Sequence, residues 1–146
     1  MTDSQEKKIV VGVDGSDSSK AALGWGLRQP RLTGAPLQVV MAWDYPLTYG
    51  WMVVPEGVDL GADAASELHR VVKEVTEAED ATEPAVEITV GAIQGHPAVV
   101  LMNEAKNASL VVVGSHGHGE FAGMLLGSVS EHLSTHAPCP VLIVRD

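Results

Sequence analysis

The sequence predicts an α/β fold in which a five-stranded parallel sheet carries helices on both faces. Three observations lead there. Runs rich in Val, Ile and Leu alternate along the chain with segments of helical periodicity. The runs are nearly continuous in apolar residues, as suits strands covered on both faces. Their order is strand, helix, strand, loop, then helix and strand three times over, so crossover connections lay parallel strands side by side. A chain of 146 residues and 15.3 kDa suits one domain, residues 1–146. At that size folding buries roughly 70% of the unfolded surface, so the chain needs no staples. No internal repeat or composition break marks a second domain.

The first strand is read at residues 8–13, and Ser16 can cap a helix that runs to about residue 33. Gly24, Gly26 and Pro30 make that helix atypical. Proline removes an i→i−4 bond, so the helix should kink or end at Pro30. The second strand is 37–43, followed by a long loop at 44–58 that holds Tyr45, Tyr49 and Trp51 and is read as a flap over the sheet. In 59–80, Leu60, Ala64, Leu68, Val71 and Val75 form one apolar helical face. Residues 86–91 alternate more and belong nearer a sheet edge. A helix at 97–107 opens on Pro97, acceptable at a first helical position. The strand at 109–114, the helix at 127–136 with Pro138 as its stop, and the strand at 140–145 complete the set.

Composition narrows the function. Nineteen Asp and Glu against nine Lys and Arg give a net charge of −10. Nucleic acid and anionic membranes need a basic surface, so both are disfavoured as partners. A small, locally positive anion pocket is not forbidden. Three Trp, two Tyr and one Phe leave the core to Val, Leu, Ile and Ala. The lone Cys139 excludes an intrachain disulfide or a CxxC site. It sits between two prolines with no basic neighbour in sequence, and reads as an inert packed thiol. The start, Met-Thr-Asp-Ser-Gln-Glu-Lys-Lys, has no apolar run and reads as no signal peptide. Apolar stretches reach about six residues, against about 20 for a membrane span. A soluble cytoplasmic protein is the expectation. Ten acids against two basic residues in 56–87 read as a solvated helix face.

Ligands of open parallel sheets bind outside the carboxyl ends of the strands. Three such ends stand out: Gly12-Val13-Asp14-Gly15-Ser16, Ala42-Trp43-Asp44, and Gly114-Ser115-His116-Gly117-His118-Gly119. Glycine lets a backbone approach a ligand closely. Further on, Gly127-Ser128-Val129-Ser130 opens a helix, whose free N–H groups suit a phosphate. A turn followed by an ordinary Ser N-cap fits the same residues. No GxxxxGK[ST] loop is present. Gly117-His118-Gly119-Glu120-Phe121-Ala122 fits GxGxxA, but it lies after the fourth strand rather than in the first βα turn, and reads as a decoy. His116 and His118, with His132 and His136 four apart, raise a metal site. No third Cys or carboxylate falls at matching spacing, so no metal site is assigned.

The spacing Gly114-x2-Gly117-x9-Gly127-Ser128 resembles the nucleotide-binding signature of the universal stress protein family, in its ATP-binding branch. Val10-Val-Gly-Val-Asp-Gly-Ser-Asp-Ser-Ser19, the run 110–117 and Ala137-Pro-Cys-Pro-Val-Leu-Ile-Val144 agree, so the resemblance spans nearly the whole chain. It implies a flavodoxin-like sheet of order 3-2-1-4-5 and a homodimer through the last strand, 141–145. It also implies bound ATP with Mg2+ or Mn2+ and a nucleotide-dependent role in stress response. Carried over by position, Gly12, Val13 and Asp14 meet the ribose end and Ala42 the adenine. Val113, Gly114, Ser115, His116 and Gly117 line the ribose and phosphate path, while Gly127, Ser128, Val129 and Ser130 bind phosphates. Another adenine nucleotide, such as cyclic AMP, fits the same adenosine recognition. A slow ATPase is the enzyme alternative. No residue is assigned as catalytic, because no clear general base or arginine finger accompanies the signature; the four Arg are Arg28, Arg31, Arg70 and Arg145. Binding without rapid turnover is the favoured reading. An interaction module that has lost nucleotide is argued against by the intact signature.

Overall fold

A computed structural model describes residues 7–45, 56–79, 87–117 and 126–146. Among them the elements are β1 (Lys8–Gly12), α1 (Asp17–Thr33), β2 (Leu37–Trp43), α2 (Leu60–Ala78), β3 (Ile88–Gln94), α3 (Pro97–Ala105), β4 (Ala108–Gly114), α4 (Ser128–His136) and β5 (Val141–Val144). The five strands form one sheet in the order β3-β2-β1-β4-β5, and every neighbouring pair is parallel.

Strand alternation divides the core between two layers. Val11, Val39 and Val112 face α1 and α2, whose Leu23, Leu27, Leu68 and Val71 close over them. Val10, Val40, Val111 and Val113 point the other way, onto Val100 and Leu101 of α3 and Leu133 of α4. Burying a side chain of this size contributes about 1.5–3 kcal/mol. The central strands therefore hold the molecule together, and loops at their carboxyl ends are free to serve a site.

Two expectations are corrected. Helix α1 does not end at Pro30; it runs on to Thr33. Only one turn follows the proline. That turn is closed by the Gly34 N–H, which donates to the Pro30 carbonyl at 2.7 Å with Gly34 at φ 79°. The third strand lies at Ile88–Gln94 rather than 86–91. Gly91 does not end it: pairing with β2 continues from Leu37↔Ile88 to Trp43↔Gln94. The expectation that this strand lies at a sheet edge holds. Gly26 is explained by packing, since a Cβ there would run into the Val11 side chain on β1. Residue 86, the GxGxxA residues 118–122 and most of the 44–58 loop, 46–55, lie outside the described residues. Among the described residues no helix is long and apolar enough to cross a membrane.

Candidate functional site

Strand order reverses at the centre of the sheet. From β1 the chain passes through α1 to β2 on one side, while β4 lies on the other. Helices leaving β1 and β4 go to opposite faces and open a crevice between the two carboxyl ends, the usual ligand position in such sheets. An open cleft of about 570 Å³ occupies it, including solvent at its mouth.

Most of the expected residues line this cleft: Gly12, Val13, Asp14, Ala42, Val113, Gly114, His116, Gly117, Gly127, Val129 and Ser130. Ser115 and Ser128 are not in its wall. Ser115 is 1% exposed, and its Oγ lies 3.1 Å from His116 Nδ1. Ser128 is exposed at the head of α4. Four lining residues escaped the sequence reading: Ser19, Val40, Pro97 and Leu101. Val40 was within reach, because it shares the strand face of Ala42 two residues on. Pro97 and Leu101 come from α3, and nothing in their own segment signals a ligand.

The Asp14 corner is built by α1. Asp14 Oδ1 accepts the Ser16 N–H at 2.9 Å, and the Asp14 N–H donates to Ser19 Oγ at 3.3 Å. Ser16 caps the helix by accepting the Ser19 N–H at 3.3 Å. Across the cleft, Ser18 Oγ–H donates to the His116 carbonyl at 2.5 Å and ties the end of β4 to α1. Gly114 makes the approach possible, since a Cβ on it would lie 2.5 Å from Ser18 Oγ and 2.6 Å from the Ser18 carbonyl carbon.

The opposite wall is fastened through backbone. The Gly127 N–H donates to the Ser115 carbonyl at 2.6 Å. Ser130 Oγ–H reaches the carbonyls of Ser115 and Gly127, at 3.2 and 3.0 Å. These bonds seat the start of α4 beside the end of β4, across a gap of twelve positions in sequence. Helices α1, α2 and α3 each have a cap side chain accepting a first-turn N–H: Ser16, Asp59 and His96. At α4 the cap is Gly127, with no side-chain cap bond. Its first-turn amides, with the positive end of the helix dipole, lie at the cleft wall formed by Gly127, Val129 and Ser130. Val40, Ala42, Val113, Pro97 and Leu101 make an apolar side. No Lys or Arg is among the described lining residues. Such a cleft can hold a flat apolar ring on one side and an anion on the other.

Cys139 is apart from the cleft and half-buried against the α3 and α4 layer. Burial pushes its thiol up from the usual range, opposed by the nearby charge of Lys7.

The model of the universal stress protein family matches residues 6–145. The chain belongs to the universal stress protein family. A universal stress protein of Mycobacterium tuberculosis is 33% identical over 142 residues, covering 97% of this chain and 46% of that protein. One from Mycolicibacterium smegmatis is 34% identical, covering 94% of this chain and 45% of its own length. The chain thus spans about half the length of the curated relatives it matches. A crystal structure of a universal stress protein in complex with cAMP is 28% identical, with TM-score 0.69 and coverage of 95% and 96% of the two chains.

Proposed function

We propose that this universal stress protein binds an adenine nucleotide in the cleft between β1 and β4, with ATP as its ligand. The observation that carries the proposal is the N-terminus of α4, placed by Gly127, Val129 and Ser130 at a cleft whose other wall is apolar and holds Asp14. Phosphate suits the amides and helix dipole, adenine the apolar side, and a ribose hydroxyl the Asp14 carboxylate. The relative solved with cAMP supports adenine recognition by the fold. With no Lys or Arg among the described lining residues, a polyphosphate needs a counter-charge, and Mg2+ or Mn2+ supplies that neutralisation. Cyclic AMP is the second reading, favoured by the same lack of cations because it carries less charge. Calorimetry with ATP and Mg2+, with cAMP alongside, tests the proposal. Saturable ATP binding supports it; binding of cAMP alone selects the second reading, and binding of neither ends both.

The donors here are amides and hydroxyls, which hold a ground state as well as a transition state. The protein therefore keeps ATP rather than turning it over. Single-turnover assays with excess protein check this, and phosphate release within seconds would make it an ATPase. The chain acts as a single domain in the cytoplasm and as a homodimer through β5, whose Val141, Leu142 and Ile143 are only partly buried. An apolar strand at a sheet edge tends to pair with another chain. Light scattering should give about twice the chain mass of 15.3 kDa, and a monomer at micromolar concentration would refute the dimer.

A further inference from the structure

At the far end of α4 stands a pair of groups that neither the core nor the cleft uses. His132 and His136 are both exposed, while the buried residues of the helix are Ser130 and Leu133. Residues four apart on a helix share one face, one turn from each other. Here the two imidazoles lie side by side, with ring centroids 4.6 Å apart and planes at 27°, so sharing one ion requires the exposed His132 ring to turn until its in-plane lone pair converges with that of His136. His136 Nδ1 lies 3.3 Å from the His132 carbonyl. With the proton on Nδ1, that nitrogen donates to the carbonyl and Nε2 carries the free lone pair. Imidazole metal ligands have this arrangement, the second ring nitrogen being fixed on a backbone oxygen.

We propose that His132 and His136 form a two-point surface chelate for an imidazole-preferring divalent metal such as Zn2+, Ni2+ or Cu2+. Two histidines at i and i+4 on one helix face span one such ion. Imidazole suits these three metals, whereas Mg2+ and Ca2+ prefer oxygen. The site lies in the last turn, where the negative end of the helix dipole favours a cation. A chain of net charge −10 adds long-range attraction. Among the described residues no group of three His, Cys, Asp or Glu gathers around an ion. The chelate is therefore open, with water filling the remaining positions, and its metal exchanges freely. His69 supplies an internal control. It is exposed on α2 with the same contact to its own helix, Nδ1 2.8 Å from the Ala65 carbonyl, but has no second imidazole four residues away.

Bridging two residues one turn apart also fixes the end of a nine-residue helix. Metal should therefore stabilise the folded protein by mass action. The test is titration of the tag-free protein with NiCl2 in calorimetry, with thermal melts in the same solutions. Wild type should bind one Ni2+ and melt higher with metal. His132→Gln and His136→Gln should each weaken binding at least tenfold, and the double variant should lose the melting shift. His69→Gln should leave both readings unchanged. A loss under tenfold in the double variant, or an equal loss on His69→Gln, overturns the chelate. Both substituted side chains are exposed, and the metal-free melt of each variant reports whether it folds as wild type does.

Discussion

Two helices begin beside the cleft, and their starts are built in opposite ways. Helix α1 opens on Ser16, with Ser18, Ser19 and Asp14 in a mesh of hydrogen bonds. Helix α4 opens on Gly127, and the bonds that seat it run between backbone groups and the buried Ser130. Both leave the carboxyl end of a central strand, and both carry the positive end of a helix dipole. At α1 the serine side chains meet the first-turn amides and the neighbouring carbonyl from within. At α4 the cap residue is Gly127, which makes no side-chain cap bond, and the helix start lies at the cleft wall. One end is tied by side chains; the other is seated by backbone at the cleft wall, where the proposed nucleotide would place its phosphate.

The largest expected effect breaks the seal between the two. Gly114 lets the end of β4 lie against Ser18. In Gly114→Ala the new Cβ meets backbone as well as a hydroxyl, and backbone cannot step aside. Overpacking of this kind costs about 1–3 kcal/mol and at times more, and we place this variant at about 3 kcal/mol. Urea unfolding of the variant measures it. A loss under about 1 kcal/mol would show that α1 and β4 are not locked together.

The next prediction fills the open end. In Gly127→Asp a carboxylate takes the cap position of α4, where the backbone is already extended at φ −73° and ψ 167°. Asp at an N-cap improves on glycine by only a few tenths of a kcal/mol, and the helix dipole favours its charge there. It also puts a negative charge where a phosphate would sit. Nucleotide affinity should fall at least tenfold, about 1.4 kcal/mol, while unfolding stability holds or rises. Calorimetry beside urea unfolding separates the two readings. Unchanged affinity would mean that the start of α4 does not receive the anion.

This contrast was half legible in the sequence. Gly127-Ser128 marks a helix start open either to a phosphate or to an ordinary Ser N-cap, and in the structure the cap is Gly127 with Ser128 the first helical residue. The Val-rich runs placed four of the five strands within about two residues of their observed ends. What stayed hidden depends on distance along the chain. Ser18 and His116 are 98 positions apart, so no local pattern shows their bond. Leu101 joins the cleft through the tilt of α3 against β1, where Gly12 makes room: a Cβ on it would lie 2.8 Å from Leu101 Cδ1. The third strand runs past 91 because seven paired positions along β2 carry it through Gly91 to Gln94. Pro30 misled because a proline forfeits only the bond its own N–H would have made one turn back, and the helix still closes a further turn through the Gly34 N–H on the Pro30 carbonyl.

The smallest effect sharpens the comparison from the sealed side. Ser16→Ala removes the hydroxyl that accepts the Ser19 N–H at 3.3 Å. It leaves the Ser16 N–H bonded to Asp14 Oδ1 at 2.9 Å, so the turn that holds the carboxylate persists. The substitution also removes a long contact from Ser16 Oγ to the His116 carbonyl at 3.4 Å, but Ser18 already serves that carbonyl at 2.5 Å. What is lost is therefore a helix cap and little else, worth about 1 kcal/mol. Thermal melting should fall by about 4 °C in a domain of this size. Nucleotide affinity should stay within twofold of wild type, because Ser16 is outside the cleft lining. An affinity loss as large as that of Gly127→Asp, with the modest melting shift retained, would place the start of α1 in the ligand site. The division of labour between the two helix ends would then fall.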